Sequence, residues 1–279
     1  MSRITLSVII PVHNEEKNLG RTVNDLTILL QKEQVPYEII LVNDNSSDTT
    51  PEIIKELMDN NSNIKTINRR PPSGFGRAIR SGLELVSGEA VVICMADSSD
   101  DPLDVIKYYN KLEEGYDCVF GSRFIKGSRV ENYPVTKLIA NRIVNKIVQW
   151  LFFCKFNDLT NAFKAYRTEV IRTCGPYRAC HFNITLELSL GALARKYSIC
   201  QVPINWYGRT WGSSNLSMRK MGRRYLATLI YIYAEKVLIS DDLEAERLTI
   251  NRQKESNLED IHSKLEQLEK KLLELEKDE

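Results

Sequence analysis

Short apolar runs alternate with amphipathic stretches of helical period through the first 125 residues, and that rhythm leaves few folds open. The runs are Leu6 to Pro11, Tyr37 to Val42, Ile64 to Ile67, Ala90 to Ala96 and Asp117 to Gly121. Between them lie Leu19 to Lys32, Pro51 to Asn60, Gly76 to Val86 and Pro102 to Glu113, each with apolar residues at helical spacing. Strands that alternate with helices of this length build βαβ units and a mainly parallel sheet, an α/β fold. A chain of 279 residues holds one sizeable domain of this kind and an appendage.

The second half is less regular. Val135 to Phe156 reads as mostly helical, with a strongly apolar end from Ile143 to Phe153. Asn183 to Lys196 reads as a helix, Ile199 to Trp206 as a strand, and Met218 to Ser240 as one long helix rich in tyrosine. Asp241 to Asn257 is charged and reads as a linker. Beyond it, Leu258, Ile261, Leu265, Leu268, Leu272 and Leu275 keep a 3–4 spacing among charged neighbours. That is the seam of a short coiled coil, and a charged helix this short is marginal alone, so the tail predicts a homo-oligomer.

The chemistry concentrates where strands end. Ala90 to Ala96 runs into Asp97-Ser98-Ser99-Asp100-Asp101-Pro102. In an open parallel sheet that end of a strand is where ligands bind. Crowded carboxylates repel one another, so a cation or a metal-bound phosphate suits them. A helix cap by Asp97 or Asp101 explains the cluster equally well on its own. The first strand ends in Pro11-Val12-His13-Asn14-Glu15-Glu16, where Asn14 or Glu15 is also placed to cap the next helix. The second ends in Asn43-Asp44-Asn45-Ser46-Ser47-Asp48. Asp44 is placed to accept hydrogen bonds from a base or ribose, and Asp48 reads as a cap. Gly74-Phe75-Gly76 precedes a helix, so its backbone amides can approach a phosphate, although a plain turn accounts for it too.

The formal net charge of +1 excludes the strongly basic footprint of a general nucleic-acid binder. Six cysteines show no CxxC pair and sit mostly in apolar context, which predicts free thiols in a reducing compartment. No signal peptide precedes the first strand, and no apolar run reaches the roughly 18 residues of a membrane span.

Taken in order, the PVHNEE, VNDNSSDTT, GFGRAIRSGL and ADSSDDP segments resemble family 2 glycosyltransferases of the GT-A fold. The resemblance continues through Gly121-Ser122-Arg123, through Asp158-Leu159-Thr160-Asn161-Ala162-Phe163-Lys164-Ala165-Tyr166-Arg167, and through Val202-Pro203-Ile204 with Arg209-Thr210-Trp211-Gly212-Ser213-Ser214-Asn215. It spans about residues 5 to 240, and within the family it is most similar to dolichyl- or polyprenyl-phosphate mannose and glucose synthases. It implies a Rossmann-like, mainly parallel sheet flanked by helices, followed by a C-terminal helix and the coiled coil. The expected division is a glycosyltransferase domain at 1–217, an amphipathic helix and linker at 218–250, and an oligomerisation tail at 251–279.

The resemblance also implies roles. Pro11, His13, Asn14, Glu15, Asp44, Gly76 and Ala96 are expected around the nucleotide. Asp97 falls on the second acid of the family's DxD motif and is expected to reach a divalent metal, Mg²⁺ or Mn²⁺, and the donor diphosphate. Arg123, Lys137, Asn141 and Ser214 are expected at the acceptor phosphate, and Arg209 at the diphosphate. Three positions depart from the family pattern. Met95 stands at the first DxD acid, and a thioether is a poor ligand for a hard cation, which leaves Asp100 or Asp101 to assist. Asn43 and Asn215 replace a common acid and a common lysine.

The activity implied is inverting transfer of a hexose from a nucleotide sugar, a GDP-mannose or UDP-sugar, to a polyprenyl or dolichyl phosphate. It would proceed in the cytoplasm, with peripheral contact at the inner face of the membrane. A phosphate acceptor is ionised near neutral pH and needs no strong base. A glycan hydroxyl acceptor, the alternative, would need a carboxylate, for which Glu187 is the candidate unless it pairs with Arg195 or Lys196. A second alternative is a silent nucleotide-sugar-binding protein. Membrane contact falls to Ile143 to Phe153 and to the tyrosine-rich helix, whose apolar residues suit core packing as well. Trp206 and Trp211 are candidates for shaping a sugar pocket. His181 is expected to be structural and His262 solvated.

Overall fold

The computed structural model describes residues 3–208, 218–250 and 264. A seven-stranded sheet, in the order β3-β2-β1-β4-β7-β5-β8, forms the centre. Its strands are β1 (Leu6–Val12), β2 (Tyr37–Asn43), β3 (Ile64–Asn68), β4 (Ala90–Ile93), β5 (Cys118–Ser122), β7 (Lys164–Arg167) and β8 (Ile199–Pro203). A two-stranded parallel ribbon pairs β6 (Arg129–Glu131) with β9 (Asn205–Tyr207). Every residue of β2 is buried, the mark of a parallel strand covered on both faces. The helices include α1 (Leu19–Lys32), α2 (Thr50–Asn60), α3 (Phe75–Glu84), α4 (Pro102–Glu113), α5 (Val135–Phe152), α6 (Thr168–Cys174), α7 (Ile184–Ala194) and α8 (Met218–Leu238).

The chain steps outward from β1 to β2 and β3, then returns to place β4 on the other side of β1. The strand order reverses at that point, so a crevice opens beyond the carboxyl ends of β1 and β4. Parallel pairing holds Ile9 opposite Ile93, which brings the loops after Val12 and Ile93 side by side.

One core cluster lies under α1, α2 and α4, with Leu6, Val8, Leu19, Leu30, Ile39 and Tyr108 at its heart. A second gathers Phe120, Tyr166, Leu186, Leu190 and Ile232, and seats α7 and α8. All six cysteines are free, and Cys94 and Cys118 are buried in these clusters.

Several local expectations change. β7 is a short strand where none was expected, and it runs antiparallel between β4 and β5. The strand expected from Ile199 to Trp206 breaks at Ile204, so that β8 stays in the main sheet and β9 joins β6. The charged stretch expected to be a linker is helical over 240–250. It is anchored by buried Leu243, by the Lys196–Glu244 ion pair and by Arg247, which donates to the carbonyls of Arg195 and Lys196 at the end of α7. A cation there complements the helix C-terminus. The heptad positions of the tail from Leu258 to Leu275, and His262, lie outside the described residues, as do Arg209, Trp211, Ser214 and Asn215. None of the described helices is long and apolar enough to cross a membrane.

Candidate functional site

Two neighbouring regions form at the carboxyl edge of the sheet. The first is built by the ends of β1 and β2 and the start of α3. The His13 ring nitrogen Nδ1 lies 2.9 Å from the Asp44 carbonyl oxygen. Asn14 accepts from the Ser47 amide through Oδ1 and donates its own amide to Ser46 Oγ, so the two loops are stitched together. Asn14 and Asn45 both take left-handed backbone geometry, which asparagine tolerates better than most residues. Glu15 donates its amide to Thr50 Oγ1 and accepts from Asn18, while Asp48 accepts from the Thr50 amide at the start of α2. Pro11 is paired with Val42 across the two strands.

Asp44 is buried, and its carboxylate is held by Arg69 and by the Gly74 amide at 2.6 Å. It thereby ties the end of β2 to the start of α3. Gly74 and Gly76 have a packing reason to be glycine. A Cβ on Gly74 would lie 2.4 Å from the Cys180 carbonyl, and one on Gly76 would lie 2.6 Å from the Ala179 carbonyl. The Arg77 amide donates to the Cys180 carbonyl, so this helix start is partly occupied by the protein's own backbone.

The second region is a cavity of about 450 Å³. Asp97 and Asp100 enter it from the loop after β4, Arg123 from the end of β5, and Lys137 and Asn141 from α5. Met95, Trp206, Phe182 and Tyr225 complete much of the apolar wall. Of the sequence candidates within the described residues, these five charged and polar ones meet in one cavity. The nucleotide candidates from Pro11 to Asp44, with Gly76, lie at the neighbouring edge. Buried Ala96 ties the loop after β4 to α1, because its carbonyl accepts from Thr22 Oγ1.

The acids divide their work. Asp101 caps α4 by accepting from the Leu103 amide and also accepts from the Asn205 side chain. Asp104 accepts from the Asn205 backbone amide and pairs with Lys107. Asp97 and Asp100 remain in the cavity, where Asp97 accepts from the Ser99 amide and Asp100 from the Met95 amide. Ser98, between them, sits at a φ of 58°, a strained geometry for serine. Burial, with help from Asp97 and Asp104, pushes the Asp100 carboxyl up to about 7 against the opposing pull of the Met95 amide and Arg123. A cation between Asp97 and Asp100 would relieve that repulsion, and their oxygens suit Mg²⁺ or Mn²⁺. No group of three His, Cys, Asp or Glu side chains fit to hold a metal occurs among the described residues, so further ligands would come from a diphosphate and water.

Arg123 meets Asp158 through three hydrogen bonds: side-chain Nε to Oδ2 and Nη2 to Oδ1, both 2.8 Å, and its backbone amide to Oδ2 at 3.1 Å. Burial alone lowers the guanidinium pKa, but the paired carboxylate raises it above its ordinary value. Its plane lies near the rings of Phe124 and Tyr133. A guanidinium carries five N–H groups; two go to Asp158 and one, on Nη1, to the Tyr133 hydroxyl at 3.5 Å, so two remain for an anion. Asn141 donates to Thr160 Oγ1 at 2.8 Å, and Asn145 donates to the same hydroxyl at 3.1 Å. Sequence reasoning assigns no role to Asp158, Thr160 or Asn145. The only signal for the first two is their place in the family-like segment, and nothing marks Asn145.

Glu187 fills neither role expected of it. It accepts from the amides of Arg178 and Ala179, both at 2.8 Å, and from the Tyr231 hydroxyl. It pins the 178–181 segment and α8 to α7, and it does not line the cavity. The His181 carbonyl accepts from the Ile184 amide at the start of α7, and burial with Arg224 and Arg77 nearby lowers the pKa of its ring.

A sequence model described as glycosyl transferase family 2 matches residues 7–175. A dolichol-phosphate mannosyltransferase of Pyrococcus furiosus is 31% identical over 233 residues, which is 82% of this chain and 62% of that protein. The chain therefore spans less than two thirds of that relative's length. A polyprenol monophosphomannose synthase of Mycolicibacterium smegmatis is 27% identical over 216 residues, 75% of this chain and 80% of that protein. Among solved structures, glucosyl-3-phosphoglycerate synthase from Mycobacterium tuberculosis, in complex with Mn²⁺, UDP and phosphoglyceric acid, shares the fold with a TM-score of 0.62. It is 23% identical, over 82% of this chain and 78% of that one.

Proposed function

Since the chain belongs to glycosyl transferase family 2, we propose that it transfers a hexose from a nucleotide sugar to a polyprenyl phosphate at a membrane surface. The names of its two curated relatives support a prenyl phosphate as the acceptor class.

The observation that carries this reading is the double character of α5. One side of the helix lines the cavity with Lys137, Ala140, Asn141 and Val144. Val135, Ile139, Ile143 and Ile147, four residues apart, form an exposed stripe that runs on to Trp150 and Phe153, which are 74% and 85% exposed. An acceptor that joins an anion to a long apolar tail needs both surfaces close together. The neighbouring α8 adds exposed Leu226, Ile230 and Val237, and its Tyr233 ring packs against Phe152 at 6.0 Å. Exposed apolar stripes flanked by Arg142, Lys146 and Lys155 suit an interfacial helix that rests in the headgroup layer.

The chemistry follows from the two regions. The donor's nucleoside lies along the loops after β1 and β2, and its diphosphate approaches Asp97 and Asp100. A divalent ion held by these two acids would supply charge stabilisation of the departing diphosphate, a reading supported by the Mn²⁺ in the complex of the mycobacterial synthase. Arg123, Lys137 and Asn141 hold the acceptor phosphate and orient one of its oxygens for in-line attack. That oxygen is already anionic, so no protein base is needed. The occupation of Glu187 by three protein donors favours this acceptor over a glycan hydroxyl.

The test is transfer from radiolabelled GDP-mannose, UDP-glucose and related donors, with Mg²⁺, Mn²⁺ or a chelator, in the presence and absence of polyprenyl phosphate. Metal-dependent appearance of label in the lipid phase is the expected result. Transfer only to a glycan, or tight donor binding without turnover, would overturn the reading.

A further inference from the structure

Lys164 opens β7 and is fully buried, with no solvent exposure. An ammonium in such a place needs acceptors, and it has three: the carbonyls of Leu159 at 2.6 Å and Asn161 at 2.7 Å, and Ser189 Oγ at 2.7 Å. Both carbonyls belong to one tight turn, Asp158 to Asn161, closed by the Asn161 amide donating to the Asp158 carbonyl at 3.2 Å. The first residue of that turn grips Arg123 by three hydrogen bonds, two of them to the guanidinium. The third, Thr160, accepts from Asn141. Two of the three side chains assigned to the acceptor phosphate are therefore braced by a single four-residue turn. From α5, Asn145 accepts the Leu159 amide at 2.6 Å, and from α7, Thr185 donates to the Thr160 carbonyl at 3.2 Å.

We infer that Lys164 is the positioning residue for the acceptor end of the cavity, holding the Asp158–Asn161 turn from beneath so that Arg123 and Asn141 stay aimed at one anion. The inference rests on the acceptor reading given above. Lys164 lines no part of the cavity and touches no substrate; it acts through the turn. Its reach is selective as well. The nucleoside end of the donor site is carried by β1, β2 and α3, whose loops are fastened by Asp44, Asn14 and Thr50 and share no hydrogen bond with this turn among those described.

Lys164→Met keeps most of the side-chain volume and removes every donor. Hydrogen exchange in the full-length variant is expected to rise at least tenfold at residues 159–161 and to stay unchanged in β1 and β2. In steady-state transfer, KM for polyprenyl phosphate is expected to rise at least tenfold, with donor KM within twofold of the parent. Unchanged protection of the turn, or equal shifts in both KM values, would overturn the role, since a general loss of folded enzyme lowers kcat and leaves both KM values alone. Should Lys164→Met fail to fold, Ser189→Ala removes one acceptor only. A rise of about threefold in acceptor KM is then expected, and no rise overturns the role. A parent protein that transfers nothing to lipid phosphate refutes the acceptor reading, while exchange at the turn still decides what Lys164 does.

Discussion

Asp158 offers both carboxylate oxygens to Arg123, and the two side chains are 0% and 8% exposed. The pair joins the turn before β7 to the end of β5, elements 35 residues apart in sequence. Arg123 also lines the cavity, where its Nη1 donates to the Tyr133 hydroxyl at 3.5 Å.

Removing one partner strands a buried charge, which is costlier than losing the pair as a whole. Asp158→Asn is expected to destabilise the protein by about 3 kcal/mol, read by urea unfolding. Asp158→Asn should also weaken transfer to lipid phosphate far more than it weakens binding of UDP or GDP measured by calorimetry. Equal losses in both would detach the pair from the acceptor side.

Asp97 carries the metal and diphosphate assignment. Asp97→Ala is expected to lower transfer by a factor of about 10³, comparable with the loss of one electrostatic contact to a developing charge. Its Asx-type hydrogen bond from the Ser99 amide stays within one loop, and thermal unfolding of the variant checks that the fold is kept. Full activity in this variant would remove Asp97 from the site.

The membrane assignment is separable from catalysis. Trp150→Ser combined with Phe153→Ser takes the two most exposed rings from the α5 stripe without entering the cavity. Co-sedimentation with anionic vesicles should drop at least tenfold, by loss of apolar burial in the interface. Transfer to a short, water-soluble prenyl phosphate should persist. Undiminished vesicle binding would move the contact elsewhere on the surface.

Glu38 gives a stability test remote from the site. It lies buried in β2 and accepts from Ser7, Lys65 and Ser87. Burial favours its neutral form, but the Lys65 ammonium and the Ser7 and Ser87 donors outweigh it and bring the pKa from 4.5 down to about 2. The folded carboxylate thus holds fewer protons than the unfolded one between those values. Its contribution is complete above about pH 4.5 and fades as pH falls through 2. It amounts to roughly 2–3 kcal/mol at neutral pH. Glu38→Gln should therefore lower stability at pH 7 and narrow the gap to the parent at pH 2. A gap independent of pH would exclude this carboxylate as its source.

Gly76 tests the packing of α3. Gly76→Ala drives a methyl group to within 2.6–2.7 Å of two backbone carbonyl oxygens, those of Ala179 and His181. Backbone yields poorly, so a loss of about 2 kcal/mol or more is expected in chemical denaturation. A neutral result would mean that the 179–181 segment moves aside easily.

Much of this site is legible in the sequence, because the informative acids and amides end strands whose apolar runs are unmistakable. Asp44 and Asp97 are examples: each follows a run buried on both faces, so its place at the sheet edge follows from the strand itself. Lys164 is illegible for the opposite reason. β7 is four residues long, begins with lysine and ends with arginine, and so shows neither an apolar run nor alternation. Its burial depends on acceptors supplied by a turn and by α7. Asp158 likewise gives no local hint of a partner 35 positions earlier, and nothing near Glu187 in sequence foretells that Tyr231 of α8 will occupy it. Contacts between distant segments decide these roles, and periodicity carries no information about them.

The antiparallel strand also sets an order of assembly. β3, β2, β1 and β4 can pair with one another once residue 93 has emerged from the ribosome, since the ladders that join these four strands involve no later residue. β5 has no such neighbour. Its partners are β7 and β8, and β4 keeps an open edge until β7 fills it. Until residue 167 is synthesised, a nascent chain therefore carries the open edge of β4 and both edges of β5, all of largely apolar sequence, the kind of surface that invites association with other chains. Fragments that stop between β5 and β7 should be aggregation-prone, whereas translation through Arg167 closes the β4 edge and one edge of β5 with a single strand, and β8 closes the other.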